Sequence, residues 1–254
     1  MIITNKKIAL LIGGAGDGYG KQILETLIEN NYFVIITSRD ITKLSKIKKK
    51  YSNHKDLIFS YKLNLENNRE ITKTIKDVKS KFKKIDILIN NAAANCLKPF
   101  KDQNYNDWKE ILNINVVSNI QITKEAIKLM SKKNISRIIN ISSIYGIRPP
   151  KHHIYGNSKI NSPLIYGTSK AALIYFTQYF ATILPKNFRI NCVSPGGLES
   201  NQPKDFKSRY NKYVPLKRMA NQNDLKGLIR YLISEESNYM TGQNLILDGG
   251  WTLS

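Results

Sequence analysis

Cysteine and histidine are scarce in this chain. Its two cysteines, Cys96 and Cys192, stand far apart, and its three histidines are His54, His152 and His153. Neither set has metal-ligand spacing, and His152-His153 lacks the acidic partners of a zinc site, so no metal is expected. Two cysteines so placed read as reduced thiols of a cytosolic protein. Long apolar runs are missing as well: none approaches the roughly 18 residues that cross a bilayer. The apolar stretch Ile8 to Ile12 follows Lys6-Lys7, but it is too short for a signal peptide and runs into glycines instead of a cleavage site. The expectation is a cytoplasmic protein with no membrane partner. Acidic residues are also few, 19 against 40 basic, for a net charge of +21. Such an excess invites a nucleic-acid partner. The basic residues are scattered, however, and the densest patch, Lys43 to Lys50, spaces Leu44 and Ile47 as a solvated helix face would. The abundance of Asn, Ile and Lys, residues favoured by AT-rich coding, accounts for the charge without nucleic acid.

What is present is a regular alternation. Apolar runs at Ile8–Ile12, Phe33–Thr37, Leu57–Leu63, Ile85–Asn90, Arg137–Ser142, Arg189–Val193 and Asn244–Leu247 predict strands. Helix-period segments fill the gaps, at Tyr19–Glu29, Thr42–Lys50, Glu70–Phe82, Tyr105–Met130, Ser169–Leu184 and Asp224–Ser234. Strands bounded by turns and separated by helices predict a parallel seven-stranded sheet covered on both faces, in a doubly wound α/β fold. The 254 residues suit one such domain, 1–254, and no internal repeat or linker divides them. The stretch 145–164, with Pro149-Pro150, Gly156 and Pro163, predicts an extended loop at the carboxyl end of the fifth strand, where ligands bind in open α/β sheets.

Two local patterns carry chemistry. The first strand runs into Gly13-Gly14-Ala15-Gly16-Asp17-Gly18-Tyr19-Gly20, a turn whose backbone can approach a pyrophosphate at the start of a helix. The second strand ends at Ser38-Arg39. A basic residue there favours the extra phosphate of NADP over NAD, although Asp17 and Asp40 oppose it and Arg39 has an alternative as a plain surface residue. The second pattern is Tyr166-Gly-Thr-Ser-Lys170, which sets a phenol and an ammonium one helical turn apart. A cation beside the phenol favours the phenolate and lowers its pKa, so the pair can exchange a proton near neutral pH. The same spelling occurs earlier as Tyr155-Gly-Asn-Ser-Lys159.

Taken in order, these blocks resemble the short-chain dehydrogenase/reductase family over essentially the whole chain. Gly14, Gly18 and Gly20 fit its glycine fingerprint, with Gly13 in place of the usual Thr. Asn90-Asn91-Ala92-Ala93 is similar to the motif ending the fourth strand. Asn115 falls at the helix-four asparagine and Ser143 at the catalytic serine. Asn191 to Gly196 matches the sixth-strand motif, Ser200 stands where a Thr often meets the nicotinamide amide, and Asp248-Gly249-Gly250 matches the usual ending. The family commonly places serine and tyrosine about a dozen residues apart, which favours Tyr155 by count. Helix continuity favours Tyr166. Pro163 would break a helix begun at Tyr155, whereas an unbroken helical pattern follows Lys170.

The resemblance implies hydride transfer between a nicotinamide and a carbonyl or alcohol carbon. Asn115, Ser143, Tyr166 and Lys170 are then the catalytic set. The cofactor-binding set is Gly14, Gly18, Tyr19, Gly20, Arg39, Asn64, Asn91, Ala92, Tyr166, Lys170, Pro195, Gly196 and Ser200. Lys170 would lower the tyrosine pKa and hold the nicotinamide ribose, and Asn115 would anchor a water leading from Lys170 to solvent. The inserted loop carries Tyr145, Arg148, Lys151, His152, His153, Tyr155, Asn157 and Lys159, a cationic lid that suits a small polar or anionic substrate such as a sugar or a carrier-linked acyl group. The alternative is a solvated loop with no substrate role. A silent dinucleotide-binding sensor or scaffold is the rival function, opposed by the intact Ser143, Tyr166 and Lys170. The family also implies a homotetramer or homodimer built on the fourth and fifth helices.

Overall fold

In the computed structural model, which describes residues 6–131, 133–157 and 161–254, seven parallel strands form one sheet in the order β3-β2-β1-β4-β5-β6-β7. They are β1 (Ile8–Ile12), β2 (Phe33–Ser38), β3 (Ile58–Lys62), β4 (Ile87–Asn90), β5 (Ser136–Ile141), β6 (Phe188–Pro195) and β7 (Asn244–Leu247). The inner strands are apolar throughout because both faces are covered. Along β1, Ile8, Leu10 and Ile12 enter one core while Ala9 and Leu11 enter the other.

Helices α1 (Tyr19–Glu29), α2 (Ile41–Lys50) and α8 (Asp224–Ile233) pack on the second of these faces. Helices α3 (Asn68–Phe82), α5 (Ser118–Ile127) and α6 (Leu164–Ile183) cover the first. The connections leaving β1 and β4 therefore depart to opposite faces although the two strands are neighbours. That divergence opens a crevice at their carboxyl ends, the usual ligand position in a doubly wound sheet.

Three local features depart from the sequence reading. The segment expected as one helix from Tyr105 to Met130 is α4 (Tyr105–Leu112) and α5, joined by a π-helical turn at Asn113–Val117. Helix α6 begins five residues earlier than expected, with Pro163 as its N-cap, a position where proline's missing N–H costs nothing. Helix α7 (Lys204–Lys212) was not anticipated. It is strongly polar and buries only Phe206 and Tyr210, too little periodic signal to stand out.

Candidate functional site

The glycine turn after β1 is shaped by contact with the end of β4. Gly13 has φ +83°, and a Cβ on it would lie 2.6 Å from Ala92, so a larger residue there meets both strain and collision. A Cβ at Gly20 would lie 2.6 Å from the Gly13 carbonyl oxygen. That close approach lets α1 start directly against the turn. The Asn91 Nδ2 donates to the same carbonyl at 2.7 Å, and the Ala92 N–H donates to Ile12 O at 2.8 Å, which ties β4 to the turn. Gly18 is the N-cap of α1 and no side chain caps it, so the first-turn N–H groups face the crevice unpaired by side chains.

The crevice is a cavity of about 580 Å³. It is walled by this turn, by Arg39 and Lys43 at one end, by Asn64, Asn91 and Ala92 along the middle, and by Ser143, Tyr166, Lys170, Pro195 and Gly196 at the other. Gly18, Tyr19 and Gly20 also line it, and the Tyr19 hydroxyl donates to Gly196 O at 2.9 Å. Burial raises the Tyr19 pKa, so that phenol stays protonated and closes the floor as a donor. Gly14 instead packs behind the turn, where a Cβ would press Leu11. Ser200 is exposed and outside the cavity lining. Its N–H donates to Gln202 Oε1 at 2.7 Å.

Lys43, read from sequence as part of a solvated face, stands at the cavity mouth with Arg39. The Asp40 carboxylate, which opposed a phosphate on paper, is the N-cap of α2. It accepts from the Thr42 N–H at 2.8 Å and from the Thr42 hydroxyl at 2.6 Å. Those bonds and the Lys43 N–H hold its pKa below the usual carboxylate range. Asp17 is exposed and does not line the cavity.

At the far end, one face of α6 presents Tyr166 and Lys170 to the cavity. The Lys170 ammonium lies 5.6 Å from the centre of the Tyr166 ring and donates to Ile141 O at 2.8 Å. The Ser143 hydroxyl accepts from the Tyr145 N–H at 3.2 Å, capping the turn Ile144–Gly146, and lines the cavity together with Tyr166. Asn115 does not line the cavity. From inside the π-turn its Oδ1 accepts from the Ala94 N–H at 2.7 Å. Its Nδ2 donates to Ala94 O and to the Ser169 hydroxyl, each at 2.9 Å. It thereby pins the strand-four loop to α6.

The electrostatics here differ from the expectation that Lys170 lowers the tyrosine pKa. Burial raises the Tyr166 pKa above 10, and the Ser143 hydroxyl opposes the rise. Burial also lowers Lys170 from 10.5 to about 8. Desolvation is the largest cause of both shifts. A depressed lysine pKa means that the unfolded chain holds the extra proton between pH 8 and 10.5. The Lys170 contribution to the stability of the cofactor-free protein therefore rises across that window, by roughly 3 kcal/mol, whereas the buried tyrosines, whose pKa values are raised, take stability away above about pH 10 in wild type and variant alike. Denaturant titrations of wild type and Lys170→Met between pH 7.5 and 10.5 check this. The wild type should gain stability relative to the variant as pH rises, and parallel curves would refute the shift.

Tyr155 does not enter the large cavity. It lines a smaller pocket beyond Ser143 and Tyr166, and its former partner in the repeated spelling, Lys159, lies outside the described residues. Among the described residues, the cations of the inserted loop line neither the large cavity nor the smaller pocket. The Lys151 ammonium sits 4.6 Å from the Tyr213 ring centre and the His153 ring 5.0 Å from it, while Arg148 and His152 line a separate apolar groove.

A nicotinamide dinucleotide fits these residues. The uncapped start of α1 suits a pyrophosphate, the close-packed glycine turn leaves backbone room for it, and the cavity ends at a Tyr–Lys pair. The comparisons with known proteins agree. A family model described as Enoyl-(Acyl carrier protein) reductase matches residues 14–252. The chain is 33% identical over 252 residues to a 3-oxoacyl-[acyl-carrier-protein] reductase of Buchnera aphidicola, covering 97% of this chain and 98% of that protein. Among solved structures, a short-chain dehydrogenase of Leptospira borgpetersenii with bound NAD+ superposes with a TM-score of 0.87 at 32% identity. It spans 99% of this chain and 97% of its own. ElxO with NADP bound gives a TM-score of 0.86 at 27% identity, spanning 98% of this chain and 100% of its own. With a doubly wound sheet, a glycine turn at its switch point and these full-length relatives, the chain belongs to the short-chain dehydrogenase/reductase family and is an NAD(P)-dependent oxidoreductase.

Proposed function

We propose that this protein reduces the carbonyl carbon of a small polar substrate, with NADPH preferred and Tyr166 as the proton donor. The observation that carries this reading is the convergence of Ser143, Tyr166 and Lys170 at one end of the dinucleotide cavity, beside a second pocket large enough for the substrate's reacting end. When bound, the cofactor supplies the hydride that goes to the carbonyl carbon. The Ser143 hydroxyl orients the carbonyl oxygen. Tyr166 gives its proton to that oxygen as negative charge develops, so that carbonyl, hydride and proton yield the alcohol. The raised tyrosine pKa keeps the phenol protonated for this step, and Lys170, charged below about pH 8, stabilises the phenolate left behind. Asn115 is a positioning residue that fixes Ala94 and Ser169 on either side of the site.

The NADP preference rests on Arg39 and Lys43, two exposed cations at the cavity mouth; Asp40 lines the mouth as well, its carboxylate engaged by the α2 cap. The carrier-linked acyl class is the substrate suggested by the relatives' names, and a sugar remains the second class from the loop's polarity. Among the described residues, no helix is long and apolar enough to cross a membrane. That fits a cytoplasmic enzyme. Exposed Val117, at the end of the π-turn before α5, and Tyr175, Tyr179 and Ile183 on α6 support a homo-oligomer joined through these segments, which sedimentation would contradict by showing a monomer at micromolar concentration.

The activity test is NADPH oxidation, followed by absorbance, on ethyl acetoacetate and on a panel of keto sugars. Steady, enzyme-dependent oxidation on a member of the panel is expected. Tight NADPH binding with no oxidation on either class would favour the silent sensor.

A further inference from the structure

The pocket beyond Ser143 and Tyr166 has a volume of about 240 Å³ and is unusual in what lines it. Three further phenols, Tyr145, Tyr155 and Tyr210, face it together with the Asn95 and Gln202 amides, and no Asp, Glu, Lys, Arg or His lines it among the described residues. We propose that this pocket selects an uncharged polar group at the reacting end of the substrate, and that Tyr155, brought by the inserted loop, is a specificity-determining residue that hydrogen-bonds it. The proposal rests on the oxidoreductase reading above and narrows its substrate class.

Tyr155 is held as a fixed wall. Its ring stacks on Phe206 of α7 at 5.8 Å between centroids and 15° between planes. Its hydroxyl shares a hydrogen bond with that of Tyr145 at 3.1 Å. Arg209 clips the loop from below, its Nε donating to Ile154 O at 2.8 Å and its Nη2 to Tyr155 O at 3.3 Å. Gly156, at φ +45°, carries the chain past that guanidinium, where a Cβ would lie 2.9 Å from Nη2. Arg209 is thus bound to backbone carbonyls and does not face the pocket. Tyr210 accepts the Gly197 N–H at 2.8 Å, which leaves its own O–H free to donate.

Burial raises the pKa of all three phenols, so they meet a ligand uncharged. The Tyr155 O–H donates to Tyr145, so Tyr155 offers a ligand its oxygen lone pairs while the Tyr145 and Tyr210 O–H groups are left to donate. A hydroxyl, ketone or ester oxygen entering here exchanges water for phenol and amide partners. A carboxylate or phosphate would lose its hydration with no cation opposite it among the described residues, a loss that neutral donors only partly offset. The pocket therefore discriminates by charge, using the penalty of an unmatched anion as well as its own hydrogen bonds.

The test uses binding, so it does not depend on turnover. The full chain is loaded with NADPH, which cannot react with an alcohol, and titrated calorimetrically with ethyl 3-hydroxybutyrate or with the 3-hydroxybutyrate anion. The ester is expected to bind at least about 10-fold more tightly. Tyr155→Phe, which keeps the stack on Phe206, should weaken ester binding roughly 3- to 10-fold, the effect of one hydrogen bond. Its NADPH affinity should be unchanged, which also reports that it is folded. Equal or tighter binding of the anion would overturn the proposal, as would an unchanged ester affinity in a Tyr155→Phe protein that still binds NADPH. Should Tyr155→Phe fail to bind NADPH, the wild-type preference between ester and anion decides. Absence of NADPH oxidation on every ketone would instead strike the activity reading, while the calorimetric comparison still judges the pocket.

Discussion

Tyr166→Phe is expected to lose about 10²- to 10⁴-fold in kcat, with NADPH affinity within a factor of two of wild type. The substitution removes one oxygen. The ring remains in the α6 face, so the cavity wall, the glycine turn and the Lys170 bond to Ile141 O all persist. What disappears is the phenol that, among the described residues, lines the dinucleotide cavity beside Ser143 and Lys170. Tyr155→Phe, by contrast, alters the wall of the second pocket and should act mainly on KM. Steady-state kinetics of the two variants side by side separate them. If Tyr155→Phe lost kcat by orders of magnitude while Tyr166→Phe kept near-normal turnover, the proton donor would have been misassigned.

The second large effect is expected at the opposite end of the same cavity. Replacing both Arg39 and Lys43 by Ala should raise KM for NADPH about 10- to 100-fold and leave KM for NADH nearly unchanged. Hydrogen bonds to charged groups contribute about 1.5–3 kcal/mol, and only the phosphorylated ribose offers a dianion to those cations. Both side chains are exposed, so the NADPH affinity of wild type should fall with added salt more steeply than that of the variant. A parallel loss for both cofactors would mean that the two residues support the turn or α2 and do not read the phosphate. Asp40 is a useful contrast. Its carboxylate caps α2, so Asp40→Asn should keep the cofactor preference with only a modest loss of stability.

Much of the architecture is legible in the sequence because this sheet is buried on both faces. A strand such as Ile8–Ile12 must then be apolar at every position, and such runs stand out between amphipathic helices. The crevice follows from the same reading, since glycines after the first strand and asparagines after the fourth mark the two strand ends that meet there. That Tyr166 and Lys170 ride on one continuous helix was also legible, through one physical fact. Pro163 can precede a helix but cannot sit inside one, and α6 does begin at Leu164 and run unbroken to Ile183.

What the sequence hides is side-chain direction and solvation. The π-turn at Asn113–Val117 keeps apolar residues at helical spacing, so nothing in the pattern marks the extra residue that swings Asn115 toward Ala94. Lys43 reads as one of many surface lysines. Only the position of the α2 start at the end of β2 brings it to the cavity. The inserted loop is cationic by composition, yet among the described residues Lys151 and His153 turn onto Tyr213 and Arg148 and His152 into a separate groove, while phenols line the pocket beside Ser143. The Tyr–Lys pair is readable as a motif, but the burial that raises one pKa and lowers the other is a property of the folded interior.

The most direct test of the account is a crystal structure of the protein with bound NADP+, in which the residues touching the nicotinamide ring are read off. The prediction is that the ring lies against Ser143 and Tyr166 with the Lys170 ammonium on its ribose, while Tyr155 contacts only the adjoining pocket. A nicotinamide placed against the Tyr155 hydroxyl, with Tyr166 out of its reach, would contradict it.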